Sequence, residues 1–259
     1  MELFKINDTG LGVDMLIPKD NLYQFIDSFW LFNNNNNTPI NYSIVPDGFF
    51  KLIVIYVNKN IHQVKLVGLF DKTIPVTTPA NSTTFLIKFK LLASEYIFNH
   101  KIGILLNNRE ELDYTFWNIN QFTGKSIEGF IKHIKENCSN FDTIKTKIPQ
   151  KKKKLSELIY STYSLNNVTS IVNQLDWSQR QINRYLKKHI GVSIKEYLNI
   201  LKFADTYNQI SKGELFPNGN FTDQSHFSKS IKKQTGTTPQ KLYEGQNDQF
   251  IQLQLTNKT

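Results

Sequence analysis

The chain is poor in the residues that staple or metallate a small fold. Its 259 residues include one cysteine, Cys138, so an internal disulfide is impossible and a cysteine-based metal or redox cluster is excluded. A lone thiol is reactive only where its pKa is lowered. Nothing around Cys138, which follows a helical-looking stretch, predicts that, and an inert thiol is expected. Long apolar runs are missing too. The longest, Leu52–Val57 and Ile102–Leu106 (broken by Gly103), fall well short of the roughly 20 residues that cross a bilayer. Met1–Ile6 carries Glu2 and Lys5 with no apolar stretch behind it, which reads as no secretory leader. A soluble, cytoplasmic protein with no membrane partner is the expectation.

Catalytic signatures are also scarce. His62, His100, His133, His189 and His226 lack metal-ligand spacing. Glu110, Glu111 and Asp113 are adjacent acids without a visible partner, and neither a glycine-rich phosphate loop nor a nucleophile elbow is found. The chain is therefore not expected to be an enzyme or to need a metal or cofactor.

What is present is a core-forming composition and a lopsided charge. The length suits two ordinary domains, and 39% hydrophobic residues suffice to bury a core. The net charge is +9, but residues 1–149 hold 15 Lys+Arg against 14 Asp+Glu, whereas residues 150–259 hold 16 against 8. A nearly neutral module joined to a basic one suggests a polyanion partner for the second; a merely solvated basic surface is the plainer alternative.

The amino-terminal part reads as strands. Tyr23–Phe32 is aromatic, Tyr42–Val45 runs into the turn Pro46-Asp47-Gly48, and Phe49–Val57 is mostly β-branched and aromatic. Asn58-Lys59-Asn60 turns the chain into Ile61–Phe70, and Thr83–Leu91 alternates, with Phe85, Ile87, Phe89 and Leu91 on one side. Asn33–Asn37 reads as a loose hairpin loop. Short strands punctuated by Pro75 and Pro79 suggest a small barrel or sandwich. Helical spacing follows in Ser126–Asn137, where Ile127, Phe130, Ile131 and Ile134 form a face for the barrel or a second subunit. Pro149 and Lys151–Lys154 read as a linker at 148–154.

The basic half repeats itself. Shifted by 45 residues, Ser178–Gly191 falls on Asp223–Gly236. Each copy opens with a capping side chain, places apolar residues four and eight positions on, and ends in Lys-Lys and a glycine. Ser193 and Thr238 cap the next helices, with Pro239 in a first turn. Ahead of the first copy, Asn167 caps Val168–Leu175, separated from Ser178 by Asp176-Trp177 alone. Two short helices so tightly joined, the second amphipathic and basic, are a helix-turn-helix. Leu155, Leu158, Ile159 and Thr162 supply a helix in front, and Ile194–Ile210 bridges the two units.

In such a unit the second helix enters the major groove by its first turns. With Ile182, Leu186, Phe227 and Ile231 inward, Gln179, Arg180, Asn183 and Arg184 are the base-reading candidates of the first copy. Gln224, Ser225, Ser228 and Lys229 are those of the second. Arginine forks onto guanine and Asn or Gln onto adenine. Lys187, Lys188, Lys232 and Lys233 lie farther along and suit phosphate.

At these residues the chain resembles the AraC/XylS family of bacterial transcription regulators. The resemblance rests on Phe221–Phe227, Ile231–Pro239 and the first copy from Ser178 through Gly191-Val192-Ser193 to Tyr197, and covers about residues 150–245. It implies seven helices, two reading heads about one turn of DNA apart, and control by a preceding sensor domain. It assigns base reading to Arg180, Asn183 and Arg184, and to Gln224, Ser225 and Lys229. Val45-Pro46-Asp47-Gly48, Gly68-Leu69-Phe70 and Leu86–Phe89 resemble an uncharacterised domain often placed before such units. One departure stands out: Glu214–Phe221 carries Pro217 and Gly219 where the family has a helix, so a loop or single turn and a weaker second head are expected.

The resulting expectation is an α+β chain: a small β-barrel or sandwich with flanking helices over residues 1–147, the linker, and an all-α double helix-turn-helix over 155–259. Double-stranded DNA is the expected partner of a transcription activator or repressor. An unidentified small-molecule effector, RNA polymerase and a second copy of the chain are further candidates. The alternative is a ligand-binding or protein-interaction module whose helical half has lost specific DNA binding.

Overall fold

The computed structural model describes residues 2–5, 11–98, 101–138, 144, 147–161, 167–215 and 224–244. Its first half is built on the β-branched and aromatic segment Phe50–Val57 (β5), which pairs antiparallel with Asn60–Val67 (β6) and Ser82–Phe89 (β8). The β5–β6 turn places Asn58 and Lys59 at φ 49° and 68°, the left-handed pair that a two-residue hairpin of matching twist requires. Ile26–Asn34 (β3) extends the sheet beyond β8, followed by Leu11–Leu16 (β2) and Glu2–Lys5 (β1); Arg109–Glu111 (β9) closes the far edge on β6. The order is β1-β2-β3-β8-β5-β6-β9. Ile40–Ile44 (β4) and Ile74–Thr78 (β7) form a separate two-stranded ribbon.

A closed barrel is not formed among the described residues: β1 and β9 each pair with a single strand. Instead the sheet is covered differently on its two faces. Phe50, Leu52, Val54, Phe85, Ile87 and Phe89 point to one side, where Leu91–Tyr96 (α1) and Ile127–Asn137 (α2) pack. Phe130 of α2 stacks on Phe85 with ring centroids 4.5 Å apart, and Ile127, Phe130 and Ile134 are all buried within the chain. That face is therefore spent on the sheet and does not offer itself to a second subunit. Cys138, at the end of α2, is buried in the same core. Trp30, Phe32, Ile53 and Leu86 point to the other side, toward the ribbon. The asparagine run is partly structural as well. Asn33 and Asn34 belong to β3, and the Asn34 side-chain amide donates to the carbonyls of Thr38 (3.1 Å) and Pro79 (2.8 Å).

The second half is helical: Gln150–Ser161 (α3), Val168–Gln174 (α4), Gln179–Ile190 (α5), Ile194–Ser211 (α6), Gln224–Thr235 (α7) and Pro239–Glu244 (α8). The lysine run expected as linker is thus the first turns of α3. Lys151 pairs with Asp176, and Lys152 Nζ lies 2.6 Å from Glu95. Of the irregular stretch expected over Glu214–Phe221, residues 216–221 lie outside the described ones. No described helix is long and apolar enough to cross a membrane.

The two halves share cores rather than a tether. Leu69 and Leu91 from the sheet half are buried among Leu155, Ile182, Leu186 and Leu201. Val45 is buried among Tyr207, Ile210, Phe227 and Ile231.

Candidate nucleic-acid interface

Each element of the first helix-turn-helix is fixed by its own end groups. The Asn167 side chain accepts from Ser170 N (2.8 Å) at the start of α4. Ser178 and Gln181 form a reciprocal capping box at the start of α5, which satisfies two amides left over by the first turn. Gly191, at φ 89°, ends α5 in the left-handed conformation that favours glycine. A second capping box, Ser193 with Glu196, starts α6. Between α4 and α5 lie only residues 175–178, and burial of Ile171, Ile182, Leu186 and Ile190 in one core sets the angle of the pair.

That burial decides which side chains of α5 remain outside. Gln179, Arg180 and Arg184 are exposed on its first turns, and Lys187 and Lys188 are exposed farther along. Asn183 departs from expectation. It is half-buried, and its Oδ1 accepts from Ile194 N at 3.0 Å. The reversal at Gly191 carries the start of α6 back to Asn183, so its carbonyl oxygen is occupied capping a neighbouring helix. Its amide hydrogens and the second lone pair of that oxygen remain for any other partner.

The second copy presents the same pattern. Phe227 and Ile231 are buried, and Gln224, Ser225, Lys229, Lys232 and Lys233 are exposed. Ser228 is half-buried rather than exposed. Gly236, at φ 77°, follows α7, and Thr238 Oγ1 accepts from Lys241 N (3.3 Å) at the start of α8. The cap expected from Asp223 lies outside the described residues.

While the first turns of α5 are free, its last turns are held by the sheet half. His189 is buried; Ser94 Oγ lies 3.1 Å from its Nδ1 and donates to its carbonyl at 3.0 Å. Gly103 is so close that a Cβ there would sit 2.4 Å from Lys187 O. Tyr185 donates its hydroxyl proton to Glu95 Oε2 (3.0 Å), beside Lys152. Burial would raise the Glu95 pKa, but the hydrogen bonds from Lys152 and Tyr185 and the Lys152 charge outweigh it and hold the carboxylate ionised below its usual range. Burial lowers that of His189, reinforced by Lys188 and Lys152 against the pull of Glu95. Helix α5 is thereby clamped at its carboxyl end by a charged, hydrogen-bonded seat.

Sequence reasoning missed that seat. Ser94, Glu95 and Lys152 are ordinary polar residues in the chain, and no local pattern links residues about ninety positions apart. Among the described residues, no three His, Cys, Asp or Glu side chains converge as metal ligands would.

A domain of unknown function, DUF6597, matches residues 14–111, the span from β2 to β9. No curated protein matches the chain. Among solved structures, ToxT from Vibrio cholerae is similar over 90% of this chain and 97% of its own, at 16% identity and a TM-score of 0.38. A GH30 endoxylanase from Clostridium papyrosolvens C71 is similar over 32% of this chain, at 9% identity and a TM-score of 0.24, and this chain spans 21% of it. Both likenesses are too distant to speak for function, which is left to the chain's own residues.

Proposed function

We propose that the chain is a transcription regulator of the AraC type that binds double-stranded DNA, with the first turns of α5 reading base edges in the major groove. The supporting observation is a helix capped at one end, clamped at the other, and bare on the first turns of its outer face. The chain has three arginines, and two of them, Arg180 and Arg184, are exposed one helical turn apart on that face. Guanidinium groups fork onto guanine O6 and N7, and each such contact is worth about 1–3 kcal/mol of discrimination. Gln179 is the adjacent candidate for adenine. Lys187 and Lys188, and Lys232 and Lys233 on α7, supply charge for phosphates. In this reading Asn183 positions α6 more than it reads bases, and α7 with Gln224, Ser225 and Lys229 forms the second, weaker head. A signal to the sheet half and contact with RNA polymerase belong to the same proposal.

The test is a mobility-shift titration on the region upstream of the chain's own gene, with excess non-specific duplex present. The intact chain is expected to retard that region, and Arg180→Ala/Arg184→Ala to lose at least about tenfold in affinity. Equal affinity for both proteins, with the variant folded, would reject the reading.

A further inference from the structure

Under the β4–β7 ribbon, on the sheet face opposite α1 and α2, lies a cavity of about 410 Å³. Its floor follows from strand register. Trp30, Leu86, Ile53 and Lys65 stand side by side across β3, β8, β5 and β6. On the adjacent row Lys88 faces Lys51, which faces Val67, which faces Arg109. Tyr42 and Val76 of the ribbon close the roof. The volume falls in the range of small-molecule sites, and Trp30, Leu86, Ile53 and Val67 give the floor an apolar stretch among its cations.

The charge of this cavity is one-sided. Lys51, Lys65, Lys88 and Arg109 line it, against a single carboxylate, Asp47. Asp47 is shared: Lys51 Nζ lies 2.7 Å from Oδ1 and Lys88 Nζ 3.0 Å from Oδ2. Lys65 and Arg109 stand at the other side of the floor. Burial and the Arg109 charge hold the Lys65 ammonium below the usual lysine range, against the pull of Glu111 on the neighbouring strand. Lys51 and Lys88 already share Asp47, whereas half-buried Lys65 and exposed Arg109 are two neighbouring cations with Glu111 beside them, so an anion brought there would gain from both. Arg109 is also the one arginine of the chain not on α5.

We propose that this cavity binds a small organic anion, its apolar body against Trp30, Ile53 and Leu86 and its charged group toward Lys65 and Arg109. The wall of the cavity is also a joint between the two halves. Val45 lines the cavity and is buried against Phe227 of α7, and the neighbouring Gly48 carbonyl accepts from the Tyr197 hydroxyl of α6 at 2.8 Å. An occupant pressing on Val45 would shift the seat of α7, and that coupling is part of the proposal. The regulatory meaning of that change rests on the DNA-binding reading above; the site itself does not.

The experiment titrates the full chain with 8-anilinonaphthalene-1-sulfonate and with N-phenyl-1-naphthylamine, which share an apolar body and differ in the anionic group. The sulfonate is expected to saturate at one molecule per chain and to bind about tenfold more tightly than the neutral compound. Lys65→Gln/Arg109→Gln should remove most of that preference without changing the neutral compound's affinity. The charge-matched pair Lys125→Gln/Lys132→Gln, exposed on the helix side, should leave both affinities unchanged. Equal affinity for the two compounds, or equal losses in the two double variants, overturns the anion site. Amide exchange in Gln224–Thr235 should change on saturation with the sulfonate; binding without such a change overturns the coupling and leaves the site standing. No arm uses DNA, so failure here is distinct from failure of the DNA-binding reading.

Discussion

Replacing Asp47 by asparagine removes the one carboxylate shared by two largely buried lysines. The side chains of Lys51 and Lys88 are only 10% and 16% exposed. Burial by itself would raise the Asp47 pKa, yet the two ammonium groups outweigh it and bring it to about 2, against 3.8 for a free side chain. That difference corresponds to about 2 kcal/mol in favour of the ionised form at neutral pH. Leaving a buried charge without its partner costs about 3–5 kcal/mol in other proteins. Asp47→Asn should therefore cost about 2–4 kcal/mol at pH 7, although the amide retains an oxygen for Phe49 N, which now donates to Oδ1 at 3.2 Å. Because the folded-state pKa is depressed, the contribution is complete above about pH 4 and is lost as pH falls through 2. Urea unfolding of the two proteins should show midpoints about 1 M apart at pH 7, converging as pH drops from 4 toward 2. Coincident midpoints at pH 7, or a gap as wide at pH 2.5 as at pH 7, would refute the ion-pair reasoning.

Gly103→Val would bring a side chain against Lys187 O and Gly191 N, 2.4 and 2.8 Å from the new Cβ, and should unseat the end of α5 from the sheet half at about 1–3 kcal/mol. Faster amide exchange at residues 187–191 is the readout, and unchanged exchange would show that the close approach does not hold the helix. Lys232→Gln/Lys233→Gln should flatten the salt dependence of DNA binding by about 2 in the log–log slope, equally for all sequences. An unaltered slope would remove both lysines from the phosphates.

The helical half was legible because its information is local. Ser178, Ser193, Asn167 and Gly191 act within five residues of themselves, so caps and stops could be read one turn at a time. Where the chain folds back, the reading failed. Asn183 is outward on its own helix, and only the return at Gly191 brings Ile194 N to it. The lysines at 151–154 resemble a solvated linker until Glu95 and Asp176 arrive from elsewhere. Lys51 and Lys88 occupy the outward phase of alternating strands. What encloses them is the β4–β7 ribbon, whose pairing joins Ile40 to Thr78 across the whole β5–β6 hairpin, a separation that no local pattern signals. Of the barrel or sandwich expected, the closed barrel is not formed among the described residues for a related reason: strand existence follows from side chains, but closure depends on which edges meet, and β1 and β9 do not.

Selection of bound duplexes from a randomised pool, by the intact chain and by Arg184→Ala in parallel, bears most directly on whether α5 reads DNA. The intact chain should enrich a defined site containing a guanine whose preference disappears in the variant while neighbouring positions persist. Enrichment of no site by the intact chain, or of one identical site by both proteins, would contradict base reading by this helix.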